Sequence, residues 1–147
     1  MAEVQKHVIA DTSPSAASTV VGSVARGLGE YDSLQIVAEL TGATGGTLDV
    51  YLQFSTDNGT TWFDYVHFPQ KAAASGLTRH LVPVAREWQP SAAITTIGKD
   101  ASPALAVNTS VGGDWGNMIR AVYVAGASTS AGAAQTITIM GTRRRST

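Results

Sequence analysis

The sequence predicts an all-β protein, a single-domain antiparallel β-sandwich with jelly-roll or Greek-key topology. Two observations lead to this prediction. About eight short segments alternate apolar with polar residues or are rich in β-branched and aromatic residues, and Gly, Pro, Asp or Asn separates them. No stretch has the 3.6-residue spacing of apolar residues that marks an amphipathic helix. The length of 147 residues allows one domain with a sizeable core.

We divide the chain into three parts. Residues 1–16 are predicted to form an N-terminal arm and linker, since residues 3–9 make at most a short strand and residues 11–16 (DTSPSA) are turn-forming. Residues 17–142 form the β-sandwich domain, and residues 143–147 form a basic tail. The start of the chain has no long apolar run, so we expect neither a signal peptide nor a membrane span.

The strands of the domain are predicted in chain order. Residues 19–25 and 31–40 form the first two, and a glycine-rich connection leads to a hairpin over residues 47–68. Residues 78–84 form another strand, which we place at a sheet edge or bulge because Pro83 cannot donate a ladder hydrogen bond. The remaining predicted strands span residues 104–109, 118–124 and 135–140.

The hairpin is the clearest unit of the sequence. Its first arm alternates polar residues with the apolar residues Leu48, Val50, Leu52 and Phe54. Its second arm, residues 62–68, is rich in the aromatic residues that suit a pleated surface. Because an isolated hairpin is marginally stable in water, we expect this one to bury its apolar face against other strands.

The turn of the hairpin carries a known pattern. Residues 55–62 read STDNGTTW and resemble the Asp-box, S/T-x-D-x-G-x-T-W, of sialidase-type β-propellers. The resemblance implies a turn in which Ser55 and Asp57 brace the backbone, Gly59 reverses the chain and Trp62 packs beneath, away from any catalytic centre. A propeller would repeat this unit in every blade, and no second copy occurs here, so we do not expect a sialidase.

The composition favours association with other protein surfaces. Charged residues make up 14% of the chain, against about 25% in soluble domains, and the net charge is −1. Weak electrostatic repulsion between copies makes self-assembly or docking to a large partner more plausible than a neutral monomer. The absence of cysteine excludes disulfides, thiolate catalysis and cysteine-based metal sites.

The sequence suggests no catalytic residue, cofactor site or metal site, so we do not expect an enzyme. The three histidines, His7, His67 and His80, have few carboxylates near them in the sequence and are expected to face solvent. Asp49 and Asp57 are not interpreted as a glycosidase pair, because the turn explains Asp57 and the strand alternation turns Asp49 outward.

Two loop tryptophans and the tail arginines are candidate contact residues. Trp88 and Trp115 lie in loops, where a large ring either caps the core or contacts a partner. Arg143, Arg144 and Arg145 lack a wider basic surface, so a solvated tail or a salt bridge to a neighbouring subunit explains them better than nucleic acid. We therefore expect no nucleic-acid partner.

Residues 46–68, with their GTLDVYLQ start and DNGTTWFD turn, and more loosely residues 118–124, are similar to a pattern in small structural proteins of tailed bacteriophages. The resemblance implies a β-sandwich protein of the virion, made in the host cytoplasm, with no cofactor and no contact with a membrane.

The leading hypothesis is a capsid decoration or cement protein that stabilises the head by bridging capsid subunits. Its partners would be the major capsid protein and further copies of itself, for example in a trimer. The candidate assembly contacts are Val4, Val8, Ile9, Trp88, Trp115, Arg143, Arg144 and Arg145. The alternatives are a receptor- or carbohydrate-binding jelly roll of a head or tail fibre, with Trp88 or Trp115 stacking on sugars, and a tail-tube or head-completion component.

Overall fold

The computed structural model describes residues 2–42, 45–86, 94–126 and 132–144. Within these ranges there are nine strands: β1 (Ala2–Thr12), β2 (Ser18–Arg26), β3 (Ser33–Leu40), β4 (Leu48–Ser55), β5 (Phe63–His67), β6 (Thr78–Ala85), β7 (Thr109–Ser110), β8 (Met118–Ala125) and β9 (Ala134–Arg144). They form a four-stranded sheet in the order β1-β9-β3-β6 and a five-stranded sheet in the order β2-β8-β4-β5-β7. All strand pairs are antiparallel, which confirms the predicted all-β sandwich.

Helix is almost absent from the described residues. One 3₁₀ turn, Leu28–Glu30, connects β2 to β3. No helical segment in the same ranges has the length and hydrophobicity of a membrane span.

The core lies between the two sheets and follows the alternation of the strands. β3 and β4 each turn every second residue inward, and these residues pack with the inward residues of β8 and β9. The fully buried side chains include Ile36, Leu40, Leu48, Leu52, Ile119 and Tyr123. Burying one such side chain contributes about 1.5–3 kcal/mol relative to leaving it exposed, so this core is the main source of stability.

β1 is a full strand of the four-stranded sheet, and the prediction of an N-terminal arm is wrong for this segment. β1 pairs with β9 along its whole length, and Ile9 is only 1% exposed. The usual alternation is inverted at the start of β1, because inward Gln5 and His7 bond the hydroxyl of Tyr31 at 2.7 and 2.9 Å. Polar residues therefore lie on the inward side there, while Val4 faces solvent. Because this pattern is the reverse of the usual alternation, the sequence did not indicate a full strand.

The edge position predicted for the strand with Pro83 is confirmed. β6 is the last strand of the four-stranded sheet and pairs with β3, where Pro83 lies opposite Gln35. By contrast, the strand predicted over residues 104–109 is wrong, because regular pairing there is limited to β7, opposite Val66 and His67. Residues 104–108 cross the outside of the five-stranded sheet as irregular chain.

Asp11 joins the two sheets at their β1 and β2 edges. Its carboxylate accepts hydrogen bonds from the Ser23 amide at 3.1 Å, the Ser23 hydroxyl at 2.6 Å and the Tyr123 hydroxyl at 2.9 Å. A Cβ at position 22 would lie 2.5 Å from this carboxylate, so the approach requires Gly22. Burial, followed by the hydrogen bond to Asp11, raises the pKa of Tyr123, which keeps its hydroxyl a proton donor.

Candidate assembly surface

The four-stranded sheet turns one face to solvent. We call this surface the outer face. Because directly opposite residues of an antiparallel pair share a face, the register assigns its members. They are Val4, Lys6, Val8 and Ala10 of β1, Thr136, Thr138, Met140 and Thr142 of β9, Ser33, Gln35, Val37 and Glu39 of β3, and Arg79, Leu81, Pro83 and Ala85 of β6.

An uncharged row crosses the outer face from edge to edge. Val8, Thr138, Val37 and Leu81 lie side by side, one from each strand. Val8 is 52% exposed and Leu81 is 57% exposed, while Val4, four residues before Val8 on the same face, is 61% exposed. Exposed apolar residues that share one uncharged row of a sheet face are candidates for an interaction surface.

The charges of the outer face lie in the two rows that flank this one. Lys6, two residues before Val8 on β1, lies in the row on one side, and Glu39 and Arg79, which pair with each other at 3.2 Å, lie in the row on the other side. Arg79 is mostly exposed and Glu39 is about a third exposed, so their ion pair contributes little to stability. An uncharged middle with charges around it is the arrangement typical of protein interfaces.

The structure separates the predicted contact residues into exposed and buried ones. Val4 and Val8 lie on the outer face. Ile9 is in the core, because it is next to Val8 on a strand and therefore points the other way. Trp115 is fully buried, where its Nε1 donates to the Leu28 carbonyl oxygen at 2.9 Å, so it caps the core. Ile9 and Trp115 are thus not surface contacts of the folded chain.

The tail arginines are described in part. Arg143 lies near the end of β9 and forms ion pairs with Glu3 at 3.2 Å and Glu30 at 2.8 Å in its own chain. The hydrogen bond to Glu3, followed by the charge of Glu30, raises the pKa of Arg143. Arg144 is the last residue of β9, and its backbone pairs with β1. Two candidate contacts lie outside the described residues, namely Trp88 and Arg145.

The turn between β4 and β5 is braced by side chains. The Ser55 hydroxyl accepts a hydrogen bond from the Gly59 amide at 2.8 Å and donates to Asp57 at 2.9 Å. The Thr61 amide donates to Asp57 at 2.8 Å, and this bond is the main reason why the pKa of Asp57 is lowered. Trp62 is buried and donates to the Gly59 carbonyl oxygen at 3.0 Å, while Gly59 has φ 89°. These contacts fix the chain reversal.

A buried carboxylate on the other sheet was missed by sequence analysis. Asp64 of β5 is fully buried, and its Oδ2 accepts hydrogen bonds from the amides of Gly98, Ala104 and Leu105 at 2.7, 2.7 and 2.8 Å. Its Oδ1 accepts from Gln53 at 3.0 Å. The available signal was a carboxylate in the middle of an aromatic strand, WFDYVHF, where charge is tolerated only with strong partners.

His67 is buried beside this network, so the expectation that it faces solvent is wrong. Its Nε2 lies 2.9 Å from Asp49 Oδ1, and its Nδ1 lies 2.8 Å from the Leu105 carbonyl oxygen. The ring stacks on Tyr51 with 3.8 Å between centroids. Burial, followed by the charge of Asp49, raises the pKa of Tyr51 to about 12. The irregular segment over this sheet, anchored by Asp64, excludes solvent from a strand face that alternation alone assigns to the surface.

Two shallow grooves lie on the β6 side of the sandwich. They have volumes of about 420 and 650 Å³ and run between β6 and residues 108–113. Two of their charged or titratable side chains are already engaged, Arg79 by Glu39 and His67 by Asp49. Among the described residues, no group of three or more His, Asp or Glu side chains is placed to hold a metal ion.

No protein-family model and no curated protein matches this chain. Among solved structures, it is similar to a chain of Bacillus endospore appendages, described as disulfide-linked pili, with 11% identity and a TM-score of 0.49 over 97% of this chain and 89% of that chain. It is also similar to VP2 of an infectious bursal disease virus subviral particle, with 15% identity and a TM-score of 0.39. That alignment covers 97% of this chain and 33% of the VP2 chain, so this chain spans about a third of VP2.

Proposed function

We propose that this protein is a non-enzymatic structural protein of a tailed-phage virion, and more narrowly a decoration protein that binds the outside of the head and bridges capsid subunits. The observation that carries the proposal is the uncharged row of the outer face, with Val8 and Leu81 more than half exposed at its two ends. The phage-like pattern of residues 46–68 supplies the virion context.

The strand order supports the proposal. The eight longer strands fall into two groups of four, β1-β9-β3-β6 and β2-β8-β4-β5, with the short β7 added beside β5. This order supports a jelly-roll topology, an architecture that serves in viral capsids and in lectins. A jelly roll offers broad, rigid sheet faces, which suit a subunit that must lie against a particle surface.

The size of the outer face suggests how binding would work. Four strands of about eight residues cover roughly 19 by 27 Å, or about 500 Å², from ordinary strand spacing and rise. A stable one-to-one interface buries about 800 Å² per partner, so a single face would bind weakly. Weak contacts made simultaneously by linked copies add up to strong attachment, and this is how a decoration protein would reinforce a shell.

Immunogold labelling tests the proposal. An antibody against this chain would be applied to virions purified from the culture that produces it, with preimmune serum as the control. Label distributed over the whole head supports a decoration protein. Label confined to the tail or its tip would instead favour the fibre or tail-tube alternatives. Particles without label, from a lysate that contains the protein, would contradict a virion role altogether.

A further inference from the structure

β2 is an edge strand with an open side. It is the outermost strand of the five-stranded sheet and pairs with β8. In the described part of the chain no strand pairs with its other side. Residues 15–21 are all exposed, and Val20 and Val21 have 38% and 43% of their surface in contact with solvent.

The pairing of β8 with β4 determines which groups of β8 are turned toward β2. The Gly126 amide donates to the Thr47 carbonyl oxygen at 3.0 Å, so this residue pair is hydrogen-bonded at the end of the β4–β8 ladder. Hydrogen-bonded and non-bonded pairs alternate along an antiparallel ladder. The backbone groups of Tyr123 and Ala125 are therefore turned away from β4 and toward β2.

The same alternation determines which groups of β2 are free. Ser18 and Val20 lie opposite Ala125 and Tyr123 and are hydrogen-bonded to β8. The N–H and C=O groups of Thr19 and Val21 consequently point to the open side of the strand. Backbone groups in this position are a template for pairing with another strand.

β2 lacks the features that protect other edges. The opposite edge of the sandwich, β6, carries Arg79 and Pro83, and both discourage strand addition. On β2, protection begins only at Ser23, whose amide is bound by Asp11. The exposed residues before that point, 15–21, include no charged residue and no proline.

We propose that the β2 edges of two copies of this chain pair antiparallel across a twofold axis at Val20. Thr19 of each copy would then lie opposite Val21 of the other, and their free N–H and C=O groups would form four hydrogen bonds. The two Val20 residues would face each other at the axis as a close, non-bonded pair. A second copy of this chain is a suitable partner, because the free backbone groups of Thr19 and Val21 are arranged symmetrically about Val20. The segment is also uncharged, so two copies of it do not repel each other.

This pairing has a geometric consequence. A twofold axis between antiparallel neighbours in one sheet is perpendicular to that sheet, so it leaves both copies facing the same way. The dimer would present two outer faces toward the same side. If the proposed function is correct, each dimer therefore binds a particle through two faces at once, which raises the strength of attachment without any new contact. The pairing itself does not depend on the proposed function.

Sedimentation velocity on the recombinant chain alone tests the pairing. Wild type is expected to shift from monomer to dimer between micromolar and millimolar concentration. The Thr19→Pro variant removes one outward N–H without removing a bond to β8, so it is expected to remain monomeric. The control variant Thr19→Val keeps this N–H and should dimerise as wild type does. A wild-type chain that remains monomeric throughout would overturn the proposal, as would a dimer that Thr19→Pro leaves intact.

Charged substitutions at Val20 provide a second test, which remains valid even if the proline variant does not fold. Val20→Lys and Val20→Glu should each be monomeric, because like charges would meet at the axis, and an equimolar mixture should recover the dimer. Val107→Lys, which changes an exposed valine far from β2 in the sequence, is the control and should dimerise normally. Hydrogen exchange should show protection of the Thr19 and Val21 amides that rises with concentration. Association without this protection, or without recovery in the mixture, would contradict the proposed register.

Discussion

At the scale of single residues, Asp64 illustrates how one side chain can organise a segment that has no regular structure. Three amides of residues 98–105 converge on one carboxylate oxygen, which replaces the ladder partners that an irregular chain lacks. The carboxylate is fully buried, so its charge is balanced by these hydrogen bonds and not by water. We expect the position of this segment and the burial of His67 to depend on Asp64.

Asp64→Asn is therefore expected to destabilise the protein by about 3 kcal/mol, since a neutral amide oxygen is a weaker acceptor for three N–H groups than a carboxylate oxygen, and the NH2 group of asparagine would face the Gln53 Nε2 donor. Urea unfolding measures this loss, and hydrogen exchange should show that the amides of Gly98, Ala104 and Leu105 lose protection first. Glu39→Gln, which breaks an exposed ion pair, is the control and should cost less than about 1 kcal/mol. An Asp64→Asn loss as small as that of the control would contradict the anchoring role.

Among the structural elements, β1 and the β4–β5 turn differ in how far apart in the sequence the residues that stabilise them lie. The turn is built by contacts among Ser55, Asp57, Gly59, Thr61 and Trp62, all close together in sequence. β1 depends on a partner that lies more than 120 residues away along the chain. The turn could therefore be recognised from eight residues, whereas β1 required knowledge of β9.

Two adjacent substitutions in β1 test whether it is part of the core. Ile9→Ala should cost about 2–5 kcal/mol, because it leaves a cavity between the sheets. Val8→Ala, on the opposite side of the same strand, should cost less than about 1 kcal/mol. Chemical denaturation of both variants gives the comparison. Equal and small losses would mean that residues 2–12 do not contribute to the folded core.

The turn should make a pH-dependent contribution. Hydrogen bonds from Thr61 lower the pKa of Asp57 in the folded state, so the unfolded chain binds the proton more tightly. The stabilisation is complete above the unfolded pKa of about 4 and is lost as the pH falls through the folded value. The stability difference between wild type and Asp57→Asn should therefore be constant from about pH 7 to 5 and shrink below about pH 4. A difference that stays the same down to pH 2 would show that the Asp57 charge is not involved.

The molecule as a whole has two surfaces that suit different kinds of contact, the outer face and the β2 edge. The face offers apolar side chains to a flat partner, and the edge offers backbone groups to a strand. Because they lie on different sheets, substitutions in one should not affect the other directly. Capsid binding and self-association can thus be measured separately.

Placing charges in the uncharged row tests its role in particle binding. The double variant Val8→Lys with Leu81→Lys should reduce the amount bound to undecorated particles at least about tenfold, a loss of about 1.4 kcal/mol, since each lysine would be desolvated at the interface. Val107→Lys is a matched control, because Val107 is as exposed as Val8 and lies outside the outer face. Co-sedimentation with particles measures binding, and circular dichroism checks the fold. Undiminished binding of the double variant would exclude the outer face as the capsid contact.

The all-β class, the hairpin with its braced turn, most strand positions and the edge location of Pro83 could be predicted from the sequence. These features follow from alternation, turn chemistry and a missing N–H, all of which act over a few residues. Three features became clear only from the folded structure: β1 completes a sheet, Trp115 caps the core, and Asp64 holds residues 98–105 over His67. In each of these cases the deciding partner is distant in the chain, and a polar or aromatic residue is compatible with either surface or interior until that partner is in place.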